Sequence, residues 1–200
     1  MSELLSILIP IHERDHVKYS RLSDSLYYQI GYGKHDVVEL YPYLNKGKFS
    51  KGHYRNELLS WAKGEYVCFV DADDRVSKNY IETLLEGIKT KPDCISLRGI
   101  FTEDNGLPYV FEHSLKYTAW KTNNYEQGLK YINHLEHIKY ERNPNHLNCI
   151  KSEIAKQIKF PEINHGEDHK WSDLLFNTGL LKNEYYTDRI LYYYDYISSK

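Results

Sequence analysis

KGEYVCFVDADDRVS, residues 63–77, places a strand-like run, EYVCFV (65–70), directly ahead of three carboxylates, Asp71, Asp73 and Asp74. A short apolar run rich in aromatic and β-branched residues reads as a buried strand, and acidic residues at its end mark where the chain leaves the sheet. In an open parallel sheet, ligands bind beyond the carboxyl ends of the strands, so Asp71 and Asp73 stand where a site is expected. Two carboxylates one residue apart supply hard oxygen ligands for Mg²⁺ or Mn²⁺. A metal held there, with a diphosphate completing its shell, would neutralise charge building on a phosphate leaving group. The same residues also fit a plainer use, in which Asp73 and Asp74 cap a turn before a helix that Ser77 starts.

Around this stretch, strand and helix patterns alternate. LLSILIP (4–10) is a buried strand, and Asp15 is placed to cap a helix whose apolar face carries Tyr19, Leu22, Leu26 and Ile30. DVVELYPY (36–43) is a second strand. A polar loop from Lys46 to Gly52 leads to a helix with Tyr54, Leu58, Trp61 and Ala62 on one face, which Gly64 is placed to end in a left-handed cap. After residue 77 come a helix with Ile81, Leu84, Leu85 and Ile88, then the strand DCISLRG (93–99). This rhythm predicts parallel strands with helices on both faces. The second half is less regular: strands at 107–112 and 147–151, a short helix at 152–157, a longer helix after Gly166 carrying Trp171, Leu174 and Leu175, and a closing hairpin in EYYTDRILYYYDY. The expectation is one domain over 1–200, with a nucleotide-binding half (1–105) and an acceptor-binding half (106–200).

Composition removes several function classes. A net charge of −2 gives no electrostatic footprint for nucleic acid. Three cysteines at unpatterned spacings suggest no disulfide framework and a reducing, cytoplasmic setting. The opening MSELLSILIPIH is too short an apolar run for a membrane span and lacks a cleavage site.

Three segments in order carry a resemblance: SILIPIHERDHV, then GHYRNELLSWAKGEYVCFVDADD, then NHGEDHKW. Together they resemble family 2 glycosyltransferases of the GT-A fold. FEHSLKYTAW and PNHLNCIKSEIAKQIKFPEINHGED are similar to a branch found among bacterial surface-polysaccharide and viral glycosyltransferases. The resemblance implies an inverting transfer from a nucleotide diphosphate sugar, UDP-linked by default, to a glycan or glycoconjugate hydroxyl, with Mn²⁺ or Mg²⁺ as cofactor. It implies that Pro10, Ile11 and His12 hold the base and ribose, that Asp71, Ala72 and Asp73 form the acidic donor segment, and that Asp73 with Asp71 meets the metal. Arg55 and Asn56 match a pair beside the donor pocket, and an ordinary first helical turn explains them equally well. Asp168 matches the general base, with Glu167 beside it to orient the acceptor.

A helix N-terminus favours a carboxylate, so the base role agrees with the position of Asp168, although plain capping of the helix accounts for Glu167 and Asp168 too. His146 and Asn148, in NPNHLN, are candidates for contact with acceptor or diphosphate, or are simply turn residues. Trp120 and Trp171 are candidates for stacking on sugar or for the core. HGEDH (165–169) is discounted as a zinc site because Gly166, not glutamate, follows the first histidine. ELYPYLN lacks the aspartate that the family usually carries at the end of its second strand; Tyr41 and Pro42 stand where it is expected. Two other readings remain open: a sugar- or partner-binding protein that keeps the fold without chemistry, and a sugar-phosphate nucleotidyltransferase, which expects a glycine-rich phosphate loop that IPIHERDHV lacks.

Overall fold

The computed structural model describes residues 4–31, 36–123 and 137–198. In chain order its first half contains β1 (Leu5–His12), α1 (His16–Ile30), β2 (Val38–Asn45), α2 (Lys51–Trp61), β3 (Tyr66–Phe69), β4 (Arg75–Val76), α3 (Tyr80–Ile88), β5 (Cys94–Ile95) and β6 (Leu97–Glu103). The second half contains β7 (Tyr109–His113), β8 (Lys121–Thr122), β9 (Ile138–Arg142), β10 (Ile150–Lys151), α4 (Ser152–Ala155), α5 (Glu167–Thr178), β11 (Glu184–Tyr185) and β12 (Ile190–Tyr196). These strands form two sheets, ordered β11-β5-β10-β3-β1-β2 and β4-β12-β6-β7-β9-β8.

The parallel trio β2-β1-β3 is the part written most plainly in the sequence. Its strands are covered on both sides, so alternate residues enter different cores. Leu5, Ile7, Ile9 and Ile11 of β1 and Tyr66, Cys68 and Val70 around β3 meet Leu22 and Leu26 of α1 and Ile81 and Leu84 of α3. Leu8, Val67 and Phe69 point the other way, against Leu58 of α2, Ile154 of α4 and Trp171 and Leu175 of α5. Ser6, the polar residue inside β1, is fully buried because its hydroxyl accepts from the backbone N–H of Lys63 (3.1 Å) and Gly64 (2.8 Å).

Several local expectations give way to tertiary contacts. Gly64 does not take a left-handed cap, since α2 ends at Ala62; a Cβ on Gly64 would lie 2.7 Å from the backbone nitrogen of Ser6, so the glycine allows close approach to β1. Trp61 is exposed rather than on the buried face of α2, and Leu174 is exposed on α5. Asp15 occupies the N-cap position of α1 without a capping hydrogen bond, and α3 starts after Asn79 rather than at Ser77. The closing segment is not a hairpin. β11 pairs in parallel with β5 in the first sheet, while β12 runs parallel to β6 in the second. Both sheets therefore take strands from both halves of the chain.

Candidate active site

The chain leaves β3 in a turn closed by the backbone, with the Asp74 N–H on the Asp71 carbonyl (3.0 Å). Tyr192 of β12 fixes this turn. Its hydroxyl accepts from the Asp71 N–H (3.1 Å) and donates to Asp74 Oδ2 (2.7 Å). Burial, together with the neighbouring Asp71 and Asp73 charges, pushes the Asp74 carboxyl well above the usual range. Asp71 behaves in the opposite way. Burial pushes its carboxyl up, but the Arg55 guanidinium outweighs that, with help from His146 and Lys51, and holds Asp71 well below the usual range. Asp73 keeps a one-third exposed side chain with Lys18 at 3.9 Å.

Arg55 is the pivot. It rises from α2 with its side chain 5% exposed and donates from Nη2 to both oxygens of Asp71 (2.9 and 3.3 Å) and from Nε to Glu167 Oε1 (3.4 Å). Its guanidinium lies over Phe69 (5.4 Å) and Phe160 (6.0 Å). A buried arginine stacked on rings and forked onto carboxylates stays charged, which secures the ionised state of Asp71 and ties the start of α5 to the end of β3.

Asp71 separates two cavities. A small polar pocket of about 60 Å³ lies beyond the ends of β1 and β3 and is lined by Pro10, His12, Arg55, Asp71, Ala72 and Asp73, with Arg14, Lys51 and Tyr54. His12, Arg14 and Lys51 also line a broad open groove of about 730 Å³ that includes Asn45 and Phe49. On the other side of Asp71 a cavity of about 240 Å³ is walled by Trp120, Tyr140, Tyr194 and Phe101, with Asp168, His146 and Arg142 at its polar positions. His146 is buried, approaches Asp71 Oδ2 at 3.8 Å, and has no hydrogen-bond partner on either ring nitrogen among the described residues. Trp120 stacks on His169 (4.2 Å) and donates from its indole nitrogen to Ser172 Oγ (3.3 Å).

Five of the sequence candidates point elsewhere. Ile11 is a core residue, 6% exposed, and packs into the cluster beneath β1. Asn56 spends its amide on the backbone of Phe160, donating to the carbonyl (2.9 Å) and accepting from the N–H (2.8 Å). Asn148 likewise donates to the Ile95 carbonyl (2.9 Å) and accepts from the Asn145 N–H (2.9 Å). Trp171 is 2% exposed, stacked on Phe160 (4.8 Å) and donating to the Ile158 carbonyl (3.0 Å), so the core use of this residue prevails over the sugar platform. Glu167 is buried against Arg55 and stands back from the cavity that Asp168 lines.

Arg14, Lys51, Tyr54, Tyr140, Arg142, Tyr192 and Tyr194 join the site without belonging to any of the sequence candidates. Arg14 sat inside the quoted SILIPIHERDHV, and its basic charge beside a strand end was a usable signal. The others depend on which strand lies beside which. At the end of β2 it is Asn45, not Tyr41 or Pro42, that aligns with His12, and its amide is engaged by Phe49 and Gly47.

A divalent ion fits this donor set only as a shared ion. Among the described residues no group of three or more His, Cys, Asp or Glu side chains converges into a cage. One part-exposed carboxylate, Asp73, beside ionised Asp71 suits an ion that keeps waters and takes its remaining ligands from a diphosphate. His165 and His169 do not share a site: the first lines the open groove and the second stacks on Trp120.

The model of the family described as "Glycosyl transferase family 2" matches residues 42–151, more than half of the chain. The chain belongs to this family. Solved structures of Staphylococcus aureus TarS share its fold. TarS 1–349 in complex with UDP-GlcNAc is 17% identical, with 98% of this chain and 60% of that one covered and a TM-score of 0.62. TarS 1–349 alone is 18% identical, with 96% and 60% covered and a TM-score of 0.59. The family 2 chain described here thus spans about 60% of the length of those TarS chains. Its architecture is the GT-A fold, a mixed sheet flanked by helices. No curated protein sequence matches it. Among the described residues, no helix is long and apolar enough to cross a membrane.

Proposed function

We propose that this chain is an inverting, metal-dependent glycosyltransferase that moves a hexosyl or N-acetylhexosaminyl group from a UDP-sugar to a glycan or glycoconjugate hydroxyl. The observation that carries this reading is the position of Asp71, an ionised carboxylate shared by a polar, cation-lined pocket and an aromatic cavity that contains Asp168. The polar pocket takes the diphosphate. Arg14, Lys51 and the N-terminus of α2, which begins at Lys51, supply positive potential there. The open groove with Asn45 and Phe49 takes the base and ribose.

Asp73 and Asp71 would hold Mg²⁺ or Mn²⁺, which would supply positive charge against the leaving diphosphate. The rest of the chemistry belongs to the chain. Asp168 accepts the acceptor hydroxyl proton as that oxygen attacks the anomeric carbon from the side opposite the diphosphate. A new C–O bond forms, the bond to the diphosphate oxygen breaks, and the nucleotide leaves with the electron pair. Aromatic walls from Trp120, Tyr140 and Tyr194 suit the apolar faces of sugar rings.

This arrangement supports a division of labour along the chain, crossed only where Asn164 and His165 of the second half line the groove assigned to the base. The polar pocket is lined entirely by residues before 105, and the aromatic cavity mainly by residues after it. The free thiols of Cys68, Cys94 and Cys149 suit a reducing compartment such as the cytoplasm, where the proposed role is polysaccharide synthesis. UDP-GlcNAc, bound by TarS, is the first donor to try. The test is a panel of UDP-, GDP-, CDP- and TDP-sugars incubated with the chain and Mn²⁺, read as nucleotide release. Slow release from one UDP-sugar is expected; release from none, with no UDP binding by calorimetry, overturns the proposal.

A further inference from the structure

The aromatic cavity contains a cation that the transfer chemistry does not use. In β9 the side chains alternate, so Tyr140 and Arg142 share the face that lines the cavity. The Arg142 guanidinium lies 4.8 Å from the Trp120 ring and 5.1 Å from the Tyr140 ring. Nη1 donates to the carbonyls of Lys121 (2.6 Å) and Glu141 (2.9 Å), which orients the group and leaves the rest of its fork unclaimed by a carboxylate. Among the described residues Arg142 has no acidic partner within ion-pair distance, whereas Arg55, Arg75, Arg98 and Arg189 each hold one. Glu141, its neighbour, is turned to Lys121 (3.6 Å) and Asn123 (3.1 Å).

Ring stacking orients a guanidinium but does not neutralise it, and a half-buried charge without a counter-ion among the described residues is a standing cost. The same cavity is lined by His113 and His146, and His113 Nδ1 and both ring nitrogens of His146 are buried without a hydrogen-bond partner among the described residues. We propose that the acceptor carries an anionic group, a phosphate or a carboxylate, that docks on Arg142 while its reacting hydroxyl lies at Asp168. The pairing is of the forked, charge-assisted kind that arginine makes with both anions. It rests on the transferase reading above, because that reading makes this cavity the acceptor's.

The test is a ligand-observed NMR titration of glucose, glucose 6-phosphate and glucuronate against the chain with Mg²⁺ and UDP. At least one anionic sugar should bind roughly tenfold tighter than glucose, as a charge-assisted hydrogen bond implies, and the stronger of the two names the anion. Arg142→Gln should remove that preference and leave UDP affinity unchanged. Arg142→Lys, which keeps the charge and loses the fork, should retain part of it. Equal binding of all three sugars, or a preference that survives in Arg142→Gln, overturns the proposal. A large fall in UDP affinity in Arg142→Gln also overturns it, by moving the residue to the donor. Should Arg142→Gln fail to fold, competition in the wild type decides: inorganic phosphate must displace glucose 6-phosphate and leave glucose bound, and failure to displace it sinks the idea. Failure of the transferase reading is separate, since it appears as absence of UDP binding in the wild type whatever the sugars do.

Discussion

Replacing Arg55 by methionine is the sharpest test of how the site is held. Methionine keeps most of the side-chain volume and the contacts with Phe69 and Phe160, so the change isolates the charge. It strands two carboxylates unequally. Glu167 has a 5% exposed side chain and would sit ionised in the interior, whereas Asp71, at 29%, reaches water in part. Removing one partner of a buried pair costs about 3–5 kcal/mol, and we expect Arg55→Met to fall in that range, with Glu167 contributing most of it. Against a total stability of about 5–15 kcal/mol, the variant should fold but with a small margin. Urea denaturation followed by tryptophan fluorescence measures the loss, with Trp171 inside the affected core. The double variant Arg55→Met/Glu167→Gln removes the stranded charge and should recover about 1–3 kcal/mol of it. An Arg55→Met protein within about 1 kcal/mol of wild type, or a double variant no more stable than the single, would refute this account of the pivot.

Asp73→Asn should abolish the Mg²⁺-dependent part of UDP binding while the thermal melt stays at its wild-type value; calorimetry with and without the ion checks this. Asp168→Asn should keep UDP affinity and cost at most about 1 kcal/mol of stability, because the N-cap of α5 is Gly166 and Asp168 contributes only a first-turn charge, while single-turnover transfer falls roughly 10²- to 10⁴-fold; wild-type turnover would move the base elsewhere. Gly64→Ala should cost about 1–3 kcal/mol in a urea titration, since the new Cβ meets β1 backbone rather than a yielding side chain. Asp93 gives an acid-stability test: burial raises its carboxyl, but Lys151 Nζ (2.9 Å) and the N–H groups of Lys182 (2.9 Å) and Asn183 (3.1 Å) prevail and lower it below 3.8. Its contribution is therefore fully present above the unfolded value, about pH 4, and lost as pH falls through the lower folded value, so Asp93→Asn should flatten the stability profile below about pH 4 in urea titrations across that range.

The local code of this chain specified β1, β2, β3 and the helices that follow them, because a buried parallel strand and an amphipathic helix each need only their own residues to be recognised. It also specified that Asp71 and Asp73 leave the sheet at a strand end, and that Asp168 opens a helix, since Gly166 and the periodicity of Trp171 and Leu175 are written nearby. Partner choice was not written there. Nothing local to ILYYYDY tells β12 to run beside β6 instead of folding back on β11, yet that pairing is what carries Tyr192 to the Asp71–Asp74 turn. Nothing local to Arg55 names Glu167, which is 112 residues away, and only that contact shows Glu167 as a counter-ion set back from the cavity. Trp171 looked usable as a sugar platform until α5 packed it on Phe160, and Arg142 looked like one more basic residue in a short strand until β9 turned it toward Trp120. Secondary structure follows from short-range sterics and periodicity, whereas the site is set by which buried charges and rings find one another across the whole chain.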